Sequence, residues 1–148
     1  MKKIIAYLMA AMLLFTAGCT SSGGEETNQW GITLRAENVD PFGMVLVCEQ
    51  RGGTYKGELQ TGSAFTLERE VEGKWLPVSL IVPDGDMVWT SIALGIQPNG
   101  ESRWKVDWEG IYGYLDPGAY RISKEIMDFR GPGKYTTKTY YAEFSIEM

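Results

Sequence analysis

The residues of this 148-residue chain that could do chemistry are carboxylates, two cysteines and aromatic rings, because histidine is absent. Without an imidazole there is no Ser-His-Asp or Cys-His nucleophile and none of the common zinc sites, each of which needs that ring as base or ligand. Carboxylate catalysis stays open. Asp107, Glu109, Asp116 and Glu125 are the residue types of a glycosidase pair, which works only where two of them converge in a cleft. Nothing in their spacing requires that, and solvated strand faces carry such charges routinely. Asp84 and Asp86 in "PDGD" offer two oxygens toward calcium, which takes six or more in order; the same four residues make an ordinary turn. "RGPGK" (130–134) lacks the G-x-x-x-x-G-K-[ST] spacing of a phosphate loop and its Ser or Thr, and reads as the loop between the last two strands. The expectation is a non-enzyme without metal or cofactor.

Cys19 differs, because a targeting pattern precedes it. Lys2 and Lys3 are followed by an apolar run from Ile4 to Phe15, shorter than the roughly 20 residues that span a bilayer and typical of a signal peptide. Small Ala17 and Gly18 come next. The arrangement resembles the lipobox of bacterial lipoproteins, in which the cysteine thiol receives a diacylglycerol and becomes the new N-terminus; Thr16 departs from it, Leu being commoner there. The rival readings are plain secretion with cleavage near Gly18, and a disulfide from Cys19 to Cys48. Cys19 sits in a tract with no apolar residue to dock it, whereas Cys48 lies in "MVLVCEQ", where an unpaired cysteine behaves as a small buried hydrophobe. Two acyl chains anchor stably where one is marginal. Residues 1–18 are therefore expected to be a lipoprotein signal peptide and Cys19 a lipid anchor on the extracytoplasmic face of the cell membrane.

Loss of residues 1–18 removes two lysines and no acid, taking the formal charge from -5 to -7. So acidic a domain is a poor match for nucleic acid or anionic lipid, both of which select basic patches. Residues 19–29 then form the lipidated cysteine and a linker, "TSSGGEETNQ", too polar to pack. At about 3.5 Å per residue that linker reaches only ~35 Å. Residues 30–148 suit one domain.

The hydrophobic period in that domain is two nearly throughout, which argues strands. Ile32, Leu34 and Ala36 form one inward row; Met44, Leu46 and Cys48 form the next. Phe65 and Leu67 start a hairpin that turns near Glu72-Gly73 and returns through Trp75, Leu76 and Val78. Ile92, Leu94 and Ile96 alternate up to Pro98-Asn99-Gly100. Trp104, Val106 and Trp108 follow, then Tyr120 and Ile122, and after a glycine-rich loop Tyr140, Ala142, Phe144 and Ile146. No long helix is predicted. Short strands with turn signals between them indicate an all-β, antiparallel β-sandwich of about seven to nine strands with Greek-key connections.

"YLDPGAYRI" (114–122) narrows the type. Asp116-Pro117-Gly118-Ala119 suits a type II turn, and Tyr120, after Leu115, Pro117 and Gly118, can return its hydroxyl to an upstream carbonyl: the tyrosine corner of immunoglobulin-like sandwiches. In antibody domains a disulfide cysteine lies two residues later. Here that position is Ile122, so Cys48 has an apolar counterpart and no inter-sheet disulfide is expected. Through "VDWEGIYGYLDPGAYRISKEIMDFRGPG" (106–133) and "YYAEFSIE" (140–147) the chain resembles the bacterial Ig-like domain of exported and lipid-anchored proteins, chiefly Gram-positive, over roughly residues 30–148. The resemblance implies a β-sandwich at the cell envelope and no settled activity.

The partner expected on these grounds is an envelope protein, contacted through Phe129, Arg130 and Tyr135 around the last loop, since aromatic residues and Arg dominate binding hot spots. Tyr141 should point away from the core, opposite to Tyr140, and is a further surface candidate. A cell-wall glycan bound on exposed Tyr or Trp faces is the second reading. Tyr112 and Tyr114, before the corner, should emerge at the end opposite the last loop, so no continuous aromatic platform is expected.

Overall fold

A computed structural model describes residues 28–83, 86 and 89–148. The signal peptide, Cys19, most of the linker and Asp84 lie outside the described residues.

Among the described residues, nine strands form two antiparallel sheets: β1 (Ile32–Asp40), β2 (Gly43–Gln50), β3 (Glu58–Thr61), β4 (Thr66–Val71), β5 (Lys74–Pro77), β6 (Leu94–Gly95), β7 (Glu101–Asp107), β8 (Gly118–Gly131) and β9 (Lys134–Ile146). One short helix, α1 (Glu109–Tyr112), joins β7 to β8. The first sheet runs β1-β2-β7; the second runs β5-β4-β8-β3-β6, with β9 along the other edge of β8. This is the β-sandwich the alternation calls for.

The rows expected to face inward do so. Ile32, Leu34, Met44, Leu46, Cys48, Val106, Ile122, Tyr140, Ala142, Phe144 and Ile146 are all in the buried core, with Trp104 partly buried against it. Val47 belongs to the outward row yet is 0% exposed. It pairs with Arg35 on one side and Arg103 on the other, whose stems belong to an ion-pair lattice across the outer face. Arg35 meets Glu37, Glu49 and Glu101, and Arg103 meets Glu37. Long charged side chains cover apolar surface in this way while keeping their heads in water.

Three expectations change. The strand expected over Ile92–Ile96 shrinks to Leu94–Gly95, with Ile92 56% exposed, because β3 pairs with it only through Gln60 and Thr61. The type II turn at Asp116–Ala119 does not form: Gly118 has φ 159°, far from the +80° of that turn, and pairs with Ile146 to open β8. Its lack of a side chain serves a neighbour, since a Cβ there would come within 3.1 Å of the Arg69 guanidinium. Finally, the loop between the last strands is only Pro132-Gly133, closed by the pairing of Gly131 with Lys134, so Phe129 and Tyr135 stand on paired strands.

β8 has an irregular flank. Its first half pairs with β4 (Thr66 opposite Ser123, Arg69 opposite Tyr120), and its second half with β3 (Glu58 opposite Phe129, Thr61 opposite Ile126). Residues 62–65 bulge out between the two partners.

Candidate functional site

The corner is built as expected at its hydroxyl. Tyr120 Oη donates to the Asp116 carbonyl at 2.6 Å, and Leu115 is buried, its amide donating to the Pro41 carbonyl at 3.0 Å. Arg69 lies over the Tyr120 ring at 5.5 Å and donates to the Pro117 carbonyl. Below the corner, Phe144 stacks between Tyr120 (5.7 Å) and fully buried Trp108 (5.6 Å), and the Trp108 indole donates to the Pro41 carbonyl. Stacked rings take the place that the disulfide has in antibody domains: Cys48 is a free, buried thiol whose pKa burial pushes up to about 12. Burial also keeps the Tyr120 phenol above its ordinary value.

Period two on β8 places two charged residues, Lys124 and Asp128, on the inward row, and both are buried. Sequence reasoning did not single them out, although the alternation carried the signal. Lys124 Nζ donates to the carbonyls of Gly62 and, at 2.9 Å, Ala64, so the ammonium pins the bulge between β3 and β4. Burial pulls its pKa down to about 8. Asp128 accepts from the amides of Lys56 (3.0 Å) and Gly57 (2.6 Å) and so fixes the entry to β3. Both are structural ties, since buried charges need such partners. Beside the bulge an open cavity of about 370 Å³ is lined by Ile92, Ala93, Met127, Ala64 and Thr61.

The carboxylates sit on different elements. Asp107 closes β7 and accepts the Glu109 amide; Asp116 precedes β8; Glu125 is exposed midway along β8. The Asp86 amide donates to the Pro83 carbonyl, as in a turn. Among the described residues no three His, Cys, Asp or Glu side chains gather as metal ligands, and no helix is long and apolar enough to cross a membrane.

Two surfaces hold the candidate contact residues. On the outer face of the second sheet the Arg121 guanidinium lies over Tyr141 at 4.3 Å and over Trp75 at 4.7 Å, with Glu68 accepting from its Nε at 2.5 Å. Tyr141 is 48% exposed. The ledge spans β5, β4, β8 and β9, so four strands fix it. The Glu68 carboxylate holds the Arg121 pKa above its usual value; the pair is partly buried, each side chain 22% exposed.

The second surface is the β8–β9 tip. Phe129 is half-buried opposite Tyr135, which is 53% exposed, while Arg130 is exposed and donates to Thr136 Oγ1 at 3.0 Å. Residues 132–137 are exposed whatever their parity. The domain's N-terminal entry lies beside this hairpin: Lys138 donates to Gln29 at 2.9 Å and sits 5.0 Å over the Trp30 ring. Tyr114, 57% exposed, pairs edge-on with Phe42 at 5.6 Å. It precedes β8, whose fourteen residues make thirteen steps, roughly 43 Å at about 3.3 Å each, to the tip, so the two aromatic groups are at opposite ends. Tyr112 is buried in α1, where its hydroxyl accepts the Leu67 amide at 3.4 Å.

No curated protein and no solved structure matches the chain. A family model for a bacterial Ig-like domain matches residues 26–145. That span includes both sheets, the stacked core and the tyrosine corner, and the chain therefore belongs to the bacterial Ig-like domain family.

Proposed function

We propose that this chain is a non-catalytic envelope lipoprotein, exported and held at the membrane through Cys19, whose single Ig-like domain binds a protein partner through the ledge around Tyr141. The observation that carries the binding surface is the Trp75–Arg121–Tyr141 stack fixed by Glu68. Its side chains are the types that dominate hot spots, and they are ordered before any partner arrives, which lowers the entropic cost of binding. The glycan reading draws less support, because Arg121 already covers a face of each ring that a sugar would stack on.

In-cell crosslinking of the full-length protein, followed by mass spectrometry of the membrane fraction, tests this. One dominant protein should crosslink through β5 and β9 and be lost when Tyr141 and Trp75 are both changed to Ala. Capture unaltered by that double change would contradict the ledge. Retention on peptidoglycan with no specific protein would replace the partner by a wall polymer. A hydrolytic activity abolished by one carboxylate substitution would overturn the non-catalytic reading.

A further inference from the structure

From Phe129 to Ala142 the sequence "FRGPGKYTTKTYYA" holds three cations, Arg130, Lys134 and Lys138, and no acid, in a chain whose formal charge is -5. Folding gathers them on one hairpin, and exposed Lys56 joins them across a groove that Arg130, Thr136 and Lys138 also line. Asp128, beside the same groove, is buried and spends its carboxylate on two backbone amides. Exposed Glu58 pairs with Phe129, next to Arg130, and exposed Glu125 pairs with Thr139, next to Lys138; these two acids offset part of the charge, and Lys56, Arg130, Lys134 and Lys138 leave it net positive. At the other end the sign reverses: Asp40 closes β1, Asp107 closes β7, Glu109 opens α1, and Asp116 precedes β8.

The cationic end is also where the chain enters the domain, because Gln29 is bonded to Lys138. We infer that the β8–β9 hairpin, through Arg130, Lys134, Lys138 and exposed Tyr135, docks on the anionic phospholipid surface of the membrane that anchors the chain. This rests on the reading of Cys19 as the anchor and assigns the tip residues to the bilayer, leaving the Tyr141 ledge for a protein.

The lengths are compatible. Nine residues from Cys19 to Asn28 span at most about 32 Å at ~3.5 Å each. The tip at Gly133 stands five residues beyond Lys138, roughly 17 Å at about 3.4 Å each. The tether therefore holds the hairpin within reach without forcing it into the lipid. Lys and Arg near an anionic leaflet each contribute on the order of fivefold in binding, falling off within a Debye length, so Lys134 and Arg130, nearest the turn, supply most of the preference for an anionic over a neutral surface, on the order of tenfold, and Lys138 adds less. Tyr135 matches the headgroup region, where amphipathic rings settle. Glu25 and Glu26 of the tether oppose the attraction, so exchanging both for Gln strengthens it.

The test uses the full-length protein, purified from membranes and reconstituted into vesicles of pure phosphatidylcholine or of phosphatidylcholine with phosphatidylglycerol. Hydrogen exchange is followed by mass spectrometry at residues 130–139 and 108–116, with the intact mass of Cys19 measured on the same preparation. Exchange at 130–139 should slow several-fold on the anionic vesicles alone. Residues 108–116 should not change, and Arg130→Gln/Lys134→Gln/Lys138→Gln should abolish the difference. Equal exchange on both vesicles overturns the docking, whatever the state of Cys19. Slowing on anionic vesicles with an unmodified Cys19 keeps the docking and removes the anchor. Slowing that survives in the triple variant overturns the assignment to these cations.

Discussion

β8 and β9 run together through the whole second sheet, yet the two ends of this hairpin have opposite characters. At the corner end Tyr120, Ile122, Phe144 and Ile146 are buried among Trp108 and Leu115, and the Tyr120 hydroxyl closes onto Asp116. At the turn end the inward row carries Asp128 and Arg130, and residues 132–137 are exposed whatever their parity. The same backbone ladder thus serves two purposes. Ring stacking fixes one end to the first sheet, while the other is tied to its surroundings by polar contacts and left exposed.

The sharpest way to break this contrast is to remove a ring from the closed end and one from the open end. Trp108→Ala should destabilise by about 3–5 kcal/mol, as large-to-small changes in a packed core do, whereas Tyr135→Ala should stay within ~0.5 kcal/mol. Urea unfolding of the two variants measures both. Similar losses would mean that the tip is part of the core.

Lys124 sits between the two ends and gives the next effect, through pH. Its pKa is about 8 in the folded chain and about 10.4 in an unfolded one, so between these values the unfolded state binds more protons and stability rises with pH. The shift corresponds to about 3 kcal/mol at ~1.36 kcal/mol per unit. Cys48, raised to about 12 from 9.0, works in the opposite sense: the unfolded thiol ionises first, and stability falls above pH ~9. Tyr140, pushed up to about 12 mainly by burial, adds to that fall at higher pH. The difference between the natural chain and Lys124→Met isolates the lysine. It should favour the natural chain increasingly from pH 8 to 10, and a flat difference in urea midpoints would show that the bulge carbonyls cancel the burial penalty.

Smaller again is the contrast between two buried tyrosines. Tyr120→Phe removes a hydroxyl that donates to a carbonyl and should cost about 1 kcal/mol. Tyr140 has a buried hydroxyl without a protein partner, so Tyr140→Phe should cost nothing or stabilise slightly. Thermal unfolding of both variants ranks them, and equal losses would remove the special standing of the corner.

Much of this was legible in the sequence where the determinant is local. Period two placed the inward rows, and the Glu72-Gly73 turn and the Tyr120 corner depend on residues a few positions apart. Glu72 and Gly73 both take positive φ, 52° and 75°, as the favoured two-residue hairpin turn requires. What escaped depends on partners far along the chain. Ile92 alternates correctly, but its strand ends because β3 offers two residues of pairing. Gly118 looked like a turn glycine, whereas it makes room for Arg69. Lys124 and Asp128 were on the inward row all along, but their acceptors and donors come from residues 56–64, which no local pattern ties to β8. The spread of Tyr135, Tyr141 and Tyr114 over separate surfaces follows from the length of β8, and only the register shows it.

The proposed anchor, on which the proposed orientation of the two ends rests, is tested most directly by the intact mass and N-terminal peptide of the mature protein isolated from membranes. A chain that starts at Cys19 and carries a diacylglycerol on its sulfur is the predicted result. A chain that starts elsewhere, or that has a free thiol at Cys19, would contradict it.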